Sequence, residues 1–384
     1  MKQVLDYAWK YLKRLDKVLL LLCAAVSVFS IYLLYTMNAN EINPSVVSTR
    51  TWGMQLAAAV LGIISALVLA AVNYRFLSKI WWIYAPIALG LSLLLFTSLG
   101  KRTGSATDLN WLDLGFVEIQ PSEFLKVAFI MTFATNLHRV GENMNRPHHM
   151  MLLCLHGMIP IGLVLIQDDT GTATIIALMF VTMLFAAGLS WRYILAGTVG
   201  IPALLYVFWE YYAKAHHKIR ILVLIDEEIR NQEWIGAFDQ QRRGLIALSS
   251  GGLTGLGVSG GDYTHIYAIH NDFIFAYIGM VLGFVGCVLT LLVLLLISIK
   301  LMTVATTARD SLGRIICCGV FAMVFFHSVI NVGMVIAVTP VVGVPLPFIS
   351  AGGSSMLALF FAIGLVLSVR AHREKKYHMF YEED

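Results

Sequence analysis

Long apolar runs separated by short polar segments make up most of the chain. A helix needs about 20 apolar residues to cross the hydrocarbon core of a membrane, and eight runs approach or exceed that length. Two further runs are less regular, since 122–137 contains Glu123 and Lys126 and 352–369 begins in a Gly/Ser cluster. We interpret the chain as one all-α, polytopic membrane domain spanning 1–384, with ten transmembrane helices. The predicted spans are 18–37, 53–72, 81–99, 122–137, 149–166, 171–188, 192–212, 273–299, 314–338 and 352–369.

Composition supports a membrane protein and excludes several other classes. Of 384 residues, 58% are hydrophobic and 13% are charged, against roughly a quarter charged in soluble domains. The first run, 18–37, is too long for a signal-peptide core and lacks a clear small-residue cleavage site, so an uncleaved first span is expected. The net charge of +4 gives no indication of nucleic-acid binding, and the five cysteines lie in apolar runs without disulfide spacing.

Basic residues predict the orientation of these spans. With both termini in the cytoplasm, 17 of the 27 lysines and arginines fall in inner segments and nine in outer ones. The remaining one, Lys126, lies within a span. The positive-inside rule therefore favours cytoplasmic termini. The segments 100–121, 167–170, 213–272 and 339–351 are then extracellular, and 213–272 is a long loop between spans seven and eight. Because these segments contain the proline and glycine clusters and most of the loop acids, the chemistry is expected on the outer face.

The fourth span contains an unusual pair of charges. In Gln120-Pro121-Ser122-Glu123-Phe124-Leu125-Lys126, the proline suits a helix start and the Glu and Lys share one helix face at i, i+3. Ionisable groups at membrane depth are costly unless they are paired or face a wet cavity. The pair is therefore either functional or a structural lock between helices.

Several outer-loop residues admit both a chemical and a structural interpretation. Trp111 can contact a ligand or belong to an interfacial aromatic belt, and Lys101 and Arg102 can bind an anion or lie among lipid headgroups. Asp168, Asp169 and Thr170 stand at the start of the sixth span, where helix capping is favoured over catalysis.

The long loop contains Arg242 and Arg243, a glycine-rich run over 249–257, and finally Asp272. The run lacks the Lys-Ser/Thr of a P-loop, so its glycines indicate either close backbone approach to a ligand or turns. Asp272 stands where outer water meets the eighth span. There, a partly desolvated carboxylate can act as a general base, or simply cap the helix.

A proline- and glycine-rich segment, 339–355, precedes the last span. Irregular backbone at membrane depth must be buried in protein or line a cavity. In the preceding span, His327 and Asn331 at i, i+4 are interpreted as interhelical hydrogen-bond partners rather than metal ligands.

Three motifs resemble those of the SEDS family (shape, elongation, division and sporulation), which includes RodA, FtsW and SpoVE, with RodA the nearer match. They are Gln120 to Lys126, Asn271-Asp272-Phe273-Ile274-Phe275-Ala276, and Pro345 to Ser355. The resemblance implies an inverting peptidoglycan glycosyltransferase that polymerises lipid II in the bacterial cytoplasmic membrane beside a class B penicillin-binding protein. It implies Asp272 as the catalytic carboxylate and functional roles for Trp111, Glu123 and Lys126. The Ser/Gly cluster is expected to contact substrate through Ser350, Gly352, Gly353 and Ser354.

The chain also departs from the family pattern. Asn110 replaces an arginine, Ala268 a glutamate, and Met280-Val281 a pair of glutamates, while Asp168 stands where the family has proline. The leaving diphosphate needs positive charge, which Lys101, Arg102, Lys126 or Arg242 and Arg243 can supply, as can a divalent Mg²⁺ or Mn²⁺ ion. A lipid II flippase and a non-catalytic scaffold for the penicillin-binding protein remain the alternatives.

Overall fold

The computed structural model describes residues 15–44, 47–102, 109–115, 117–233, 236, 238–258, 263–267 and 269–373. Ala268 lies outside these ranges, as do six of the basic residues counted for the orientation: Lys2, Lys10, Lys13, Arg14, Lys375 and Lys376. The helices before the long loop are α1 (Lys17–Ala39), α2 (Thr49–Ala71), α3 (Tyr74–Lys79), α4 (Trp81–Leu94), α5 (Pro121–Val140), α6 (Pro147–Ile166), α7 (Thr170–Ala187) and α8 (Trp191–Val207). The later helices are α9 (Ala215–Ile225), α10 (Glu227–Gln232), α11 (Asp239–Ser250), α12 (Ile274–Thr306), α13 (Ser311–Val335) and α14 (Gly353–Ala371).

Each of the ten predicted spans contains a helix, although residues 95–99 lie beyond the end of α4, and the all-α membrane fold is confirmed. Eight of the described helices are long and apolar enough to cross a membrane. The other two are α4, which is apolar but has only 14 residues, and α5, which has 20 residues but a more polar sequence. The total of ten crossings therefore stays a prediction. The run 352–369, which begins in a Gly/Ser cluster, forms one of the most buried of these helices.

The bundle is built around two central helices, α13 and α14. Helix α2 packs along α14, while α7 and α12 flank α13. Helix α8, in contrast, has no buried residue along its described length. The most buried helices lie beside the proline- and glycine-rich segment that joins them, so this segment is held in the interior of the protein.

Two outer segments are more ordered than a loop. The 213–272 segment contains three helices, α9 to α11, and α11 packs against α12. The 100–121 segment contains a small antiparallel sheet, made of β1 (Gly100–Arg102), β2 (Leu109–Asp113) and β3 (Glu118–Ile119) in that order. This sheet is a minor addition to the predicted all-α fold.

The glycine-rich run packs against an interruption in α12. Gly283 has φ 65° within α12, and the backbone groups near it bond to the run instead of to the helix. Leu256 N–H donates to the Met280 carbonyl at 2.9 Å, and Phe284 N–H donates to the Gly252 carbonyl at 2.9 Å. A Cβ on Gly255 would lie 2.0 Å from the Val281 carbonyl oxygen, so glycine is required here for backbone-to-backbone contact.

Candidate functional site

A polar cavity of about 520 Å³ opens at one end of the bundle. All four segments predicted to be extracellular line it, since its walls include residues from 110–120, 168–170, 220–272 and 341–352. These segments therefore meet at the same end of the molecule, as the predicted topology requires. The volume falls in the usual range for a small-molecule site.

Asp272 contributes its carboxylate to this cavity and does not cap a helix. The N-cap position of α12 is Phe273, which makes no side-chain capping bond, and the Asp272 carboxylate forms no ion pair with a described residue. Burial, and then the neighbouring Asp169 carboxylate, raise the pKa of Asp272 to about 6. A carboxyl group with this pKa is mostly ionised at neutral pH and is still basic enough to accept a proton.

The backbone around Asp272 is fixed from two sides. The Asn331 side-chain amide donates to the carbonyl of Asp272 and to that of Val344, each at 2.8 Å. The Ser350 hydroxyl donates to the Asn271 carbonyl at 2.7 Å. The sequence predicts Asn331 as an interhelical hydrogen-bond partner, but its described partners are the non-helical segments around Asp272 and Val344, which form part of the cavity wall.

The proline- and glycine-rich segment is buried in protein, as its sequence requires. Its residues Val344, Leu346, Phe348 and Ile349 are almost completely enclosed. The opposite edge of the segment faces the cavity, where a Cβ on Gly343 (φ 69°) would lie 3.7 Å from Asp272 Oδ2. Both parts of the prediction, burial and cavity lining, therefore hold for this segment.

The Ser/Gly cluster is divided between lining and support. Gly352 lines the cavity, and its N–H donates to Gln55 Oε1 at 3.0 Å. The Ser354 hydroxyl accepts a hydrogen bond from Gln120 N–H at 3.2 Å, and Gly353 begins α14 beside Ala58. Ser350 and Ser354 thus hold the wall through hydrogen bonds to backbone groups, and their predicted contact with substrate stays a prediction.

Glu123 and Lys126 pair with each other and form a cluster with His327. Neither Glu123 nor Lys126 belongs to the described cavity wall. Lys126 Nζ lies 2.9 Å from Glu123 Oε1 and 2.8 Å from His327 Nε2, and all three side chains are buried. Because His327 is on α13, the cluster fastens α5 to that helix. This arrangement matches the structural alternative for the pair, and it confirms His327 as an interhelical partner.

The cationic side chains predicted to bind diphosphate are mostly engaged elsewhere. Lys101 pairs with Glu118, whereas Arg242 and Arg243 both pair with Asp239 at 2.5 and 2.7 Å. The Arg102 side chain lies outside the described part of the chain. None of the Lys101, Lys126, Arg242 and Arg243 side chains belongs to the described cavity wall.

Arg220 is the guanidinium that does line the cavity, beside Trp111 and Asn110. Sequence reasoning missed Arg220 because it lies in the first turns of α9, in a segment interpreted as a loop. The amphipathic pattern of 215–225 was the available signal. The departures at Met280 and Val281 are fully buried apolar side chains, so they fill space in the core and do not reach the cavity.

Asp168 and Asp169 have different roles although they are adjacent. Asp169 caps α7, since its Oδ1 accepts the Thr172 N–H at 2.8 Å, and the predicted capping role is confirmed for this residue. Burial raises the pKa of Asp169. Asp168 has φ 67° and turns its carboxylate toward Lys214, His216 and His217 on or beside α9.

The fold and the cavity define a multi-pass membrane protein with a carboxylate-lined site at one end of its bundle. The sequence profile of the FtsW, RodA and SpoVE family, described as cell cycle proteins, matches residues 13–375. The chain belongs to this family, and it is a protein of the bacterial cytoplasmic membrane.

Two curated relatives are similar over almost their full length. The peptidoglycan glycosyltransferase MrdB of Escherichia coli K12 is 31% identical over 363 residues, covering 94% of each chain. A probable peptidoglycan glycosyltransferase FtsW of Trichlorobacter lovleyi is 30% identical over 375 residues, covering 93% of each.

Solved structures agree with the fold. A chain from a peptidoglycan synthase complex, studied for the coordination of polymerisation and crosslinking, matches with a TM-score of 0.77 and 26% identity, over 94% of this chain and 98% of that one. The rod-shape-determining protein RodA of Thermus thermophilus matches with a TM-score of 0.69 and 24% identity, over 94% and 98%.

Proposed function

We propose that this chain is a peptidoglycan glycosyltransferase that polymerises lipid II on the outer face of the cytoplasmic membrane. The observation that carries the proposal is the Asp272 carboxylate, which faces a polar cavity, caps no helix, and has a pKa raised to about 6. The relatives named as peptidoglycan glycosyltransferases support the same reaction class.

In this mechanism Asp272 accepts the proton of a sugar 4-hydroxyl from one lipid-linked disaccharide. The oxygen then bonds to the anomeric carbon of a second lipid II, and the bond from that carbon to undecaprenyl diphosphate breaks. A single displacement inverts the anomeric centre and needs one base, together with stabilisation of the leaving diphosphate. Trp111 and Arg220 line the space next to this carboxylate, where sugar and phosphate groups would be held.

The rigid support of Asp272 favours an enzyme over a transporter. A flippase site formed by Glu123 and Lys126 would need those side chains to face a path for the lipid headgroup, but both are buried and paired. A class B penicillin-binding protein is the expected partner, and the solved relative taken from a peptidoglycan synthase complex supports an assembly of this kind. Co-purification with such a partner tests the assembly separately.

The reaction is tested with purified protein, lipid II and an Asp272→Asn variant. Loss of a general base is expected to slow polymerisation by about 10²–10⁴-fold. Asp226→Asn is the matched control, because Asp226 is an exposed cap of α10 and asparagine caps a helix equally well. Normal glycan chains from Asp272→Asn would refute the assignment, and translocation of lipid II in liposomes without chain growth would favour the flippase.

A further inference from the structure

Three side chains with metal-binding atoms meet at the rim of the cavity. His216 Nε2 lies 3.7 Å from Asp168 Oδ2, and His217 Nε2 lies 3.5 Å from Asp168 Oδ1. One ligand atom from each residue lies within 4.8 Å of the other two. Metal bonds of about 2.1 Å with tetrahedral geometry separate the ligand atoms by about 3.4 Å. The observed spacing needs only a small contraction to reach this value.

The chain brings these residues together from distant positions. Asp168 is in the left-handed backbone region just before the Asp169 cap, and its side chain is only 5% exposed. The first turn of α9 presents His216 and His217 with ring centroids 4.1 Å apart. His216 Nε2 is shielded from solvent and has no hydrogen-bond partner among the described residues. A buried ring nitrogen without a hydrogen bond needs an explanation, and a bound ion would provide one.

The charge of the cavity explains why a cation belongs here. Its described wall contains four carboxylates, from Glu118, Asp168, Asp169 and Asp272, but one guanidinium, from Arg220. Glu118 pairs with Lys101, and Asp168 pairs with Lys214. The other two carboxylates of the described wall, opposed by one guanidinium, would still repel an entering diphosphate. A divalent ion held at the rim reverses this charge locally, and bound cations are often the largest local charges in a site.

Lys214 pairs with the same Asp168 carboxylate. Its Nζ lies 2.9 Å from Asp168 Oδ2, and its side chain is half exposed. Because the Lys214 side chain is flexible and half exposed, its ammonium group can move into water while a bound ion takes over the pairing of the buried Asp168 carboxylate. Metal binding would therefore displace Lys214 without disturbing the fold.

We propose that Asp168, His216 and His217 bind one divalent ion at the cavity rim, with Zn²⁺ or Mn²⁺ preferred over Mg²⁺. Two imidazoles and one carboxylate suit these ions, whereas Mg²⁺ prefers oxygen ligands. Three protein ligands leave coordination positions open. An oxygen of the substrate diphosphate would take such a position. This role of the ion rests on the proposed function, whereas the binding of the ion does not.

Binding is measured on the full-length protein in detergent, purified with a histidine-free tag and stripped with a chelator. Calorimetry with Zn²⁺ and Mn²⁺, and the visible absorption of bound Co²⁺, are expected to report one ion per chain. The matched variants are His216→Gln with His217→Gln, and His148→Gln with His149→Gln. The second pair is also adjacent and also begins a helix, at the start of α6.

Substitution of a residue that only hydrogen-bonds to a metal ligand weakens metal binding by roughly 10–100-fold. The His216→Gln, His217→Gln variant loses two ligands and is expected to weaken binding by more than this. Asp168→Asn should do the same, the control pair should leave binding unchanged, and Lys214→Gln should strengthen it. No binding by the native chain, or equal binding by the His216→Gln, His217→Gln variant, would overturn the site. Asp272→Asn should still bind the ion, so a failure of the proposed enzyme and a failure of the metal site give different results.

Discussion

The Glu123–Lys126–His327 cluster and the cavity around Asp272 are both made of ionisable groups at the boundaries or in the interior of membrane helices. In the cluster, the lysine is bonded to both neighbours and all three side chains are buried. In the cavity, the Asp272 backbone is held by Asn331, while its carboxylate forms no ion pair with a described residue. A charge that is paired inside the protein stabilises the arrangement of helices, whereas a carboxylate that is held in place without an ion pair to a described residue remains available for proton transfer.

The largest effect on stability is expected from Lys126→Met. Removing one partner of a buried ion pair leaves an uncompensated charge and costs about 3–5 kcal/mol. We expect a large loss of folded protein, read from the thermal unfolding midpoint in detergent. The double variant Glu123→Gln, Lys126→Met removes both charges and should recover much of the loss. Equal stability of the single variant and the native chain would show that the cluster is not a lock.

A smaller effect is expected from Asn331→Leu, which tests the support of the cavity. The carbonyls of Asp272 and Val344 lose their donor, and a buried unsatisfied group costs about 1–3 kcal/mol. Because Asp272, the proposed base, also loses its anchor, polymerisation should fall by more than folded yield. Ser328→Ala is the control, since that hydroxyl bonds only to the Val324 carbonyl on the same helix. A parallel fall in yield and activity would reduce Asn331 to a structural residue.

The two regions should also differ in the sign of their effect on stability. The pKa of Asp272 is raised to about 6 in the folded protein, above the ordinary value near 3.9. Its contribution to stability is therefore largest below the unfolded pKa and is lost as pH rises through about 6. At pH 8 the charged form is unfavourable, so Asp272→Asn should raise the unfolding midpoint while it removes activity. A lower midpoint at pH 8 would contradict the raised pKa.

The smallest expected change concerns the pH profile of the native enzyme. Polymerisation should increase with pH through about 6, as Asp272 becomes ionised. The Asp169 carboxylate contributes to the raised pKa, so Asp169→Asn should move this acid limb to lower pH. Asparagine retains the cap on α7, and Asp226→Asn supplies the control. If the acid limb does not move, the Asp169 carboxylate does not contribute to the raised pKa of Asp272.

Local patterns in the sequence predicted the helices, the burial of the 339–355 segment and the cap at Asp169. These features depend on periodicity, on the cost of irregular backbone at membrane depth, and on the free N–H groups of a helix start, all of which are local. The shared end of the four outer segments followed from counting basic residues, and the structure brings these segments to one cavity.

Contacts between distant residues could not be read in this way. The local sequence makes Lys126 a candidate diphosphate ligand, but its bonding is completed by His327, 201 positions away. Asp168 meets His216 and His217 only because α9 folds over the rim, and a loop interpretation gave no reason to place a helix there. The glycine-rich run had two local interpretations, and its real partner is the backbone on both sides of Gly283.

The interruption of α12 at Gly283 has a consequence for biogenesis. Its displaced carbonyls, those of Met280 and Val281, are satisfied by N–H groups of Leu256 and Gly257, and unsatisfied backbone groups cost several kcal/mol each in lipid. A continuous helix through Gly283 would satisfy those carbonyls within the segment itself during insertion, before the run has docked. The break would then form late, as the 213–272 segment folds onto the bundle. A side chain at Gly255 would collide with the Val281 carbonyl oxygen. It would then hinder the docking of the run, without hindering the entry of the helix into the membrane.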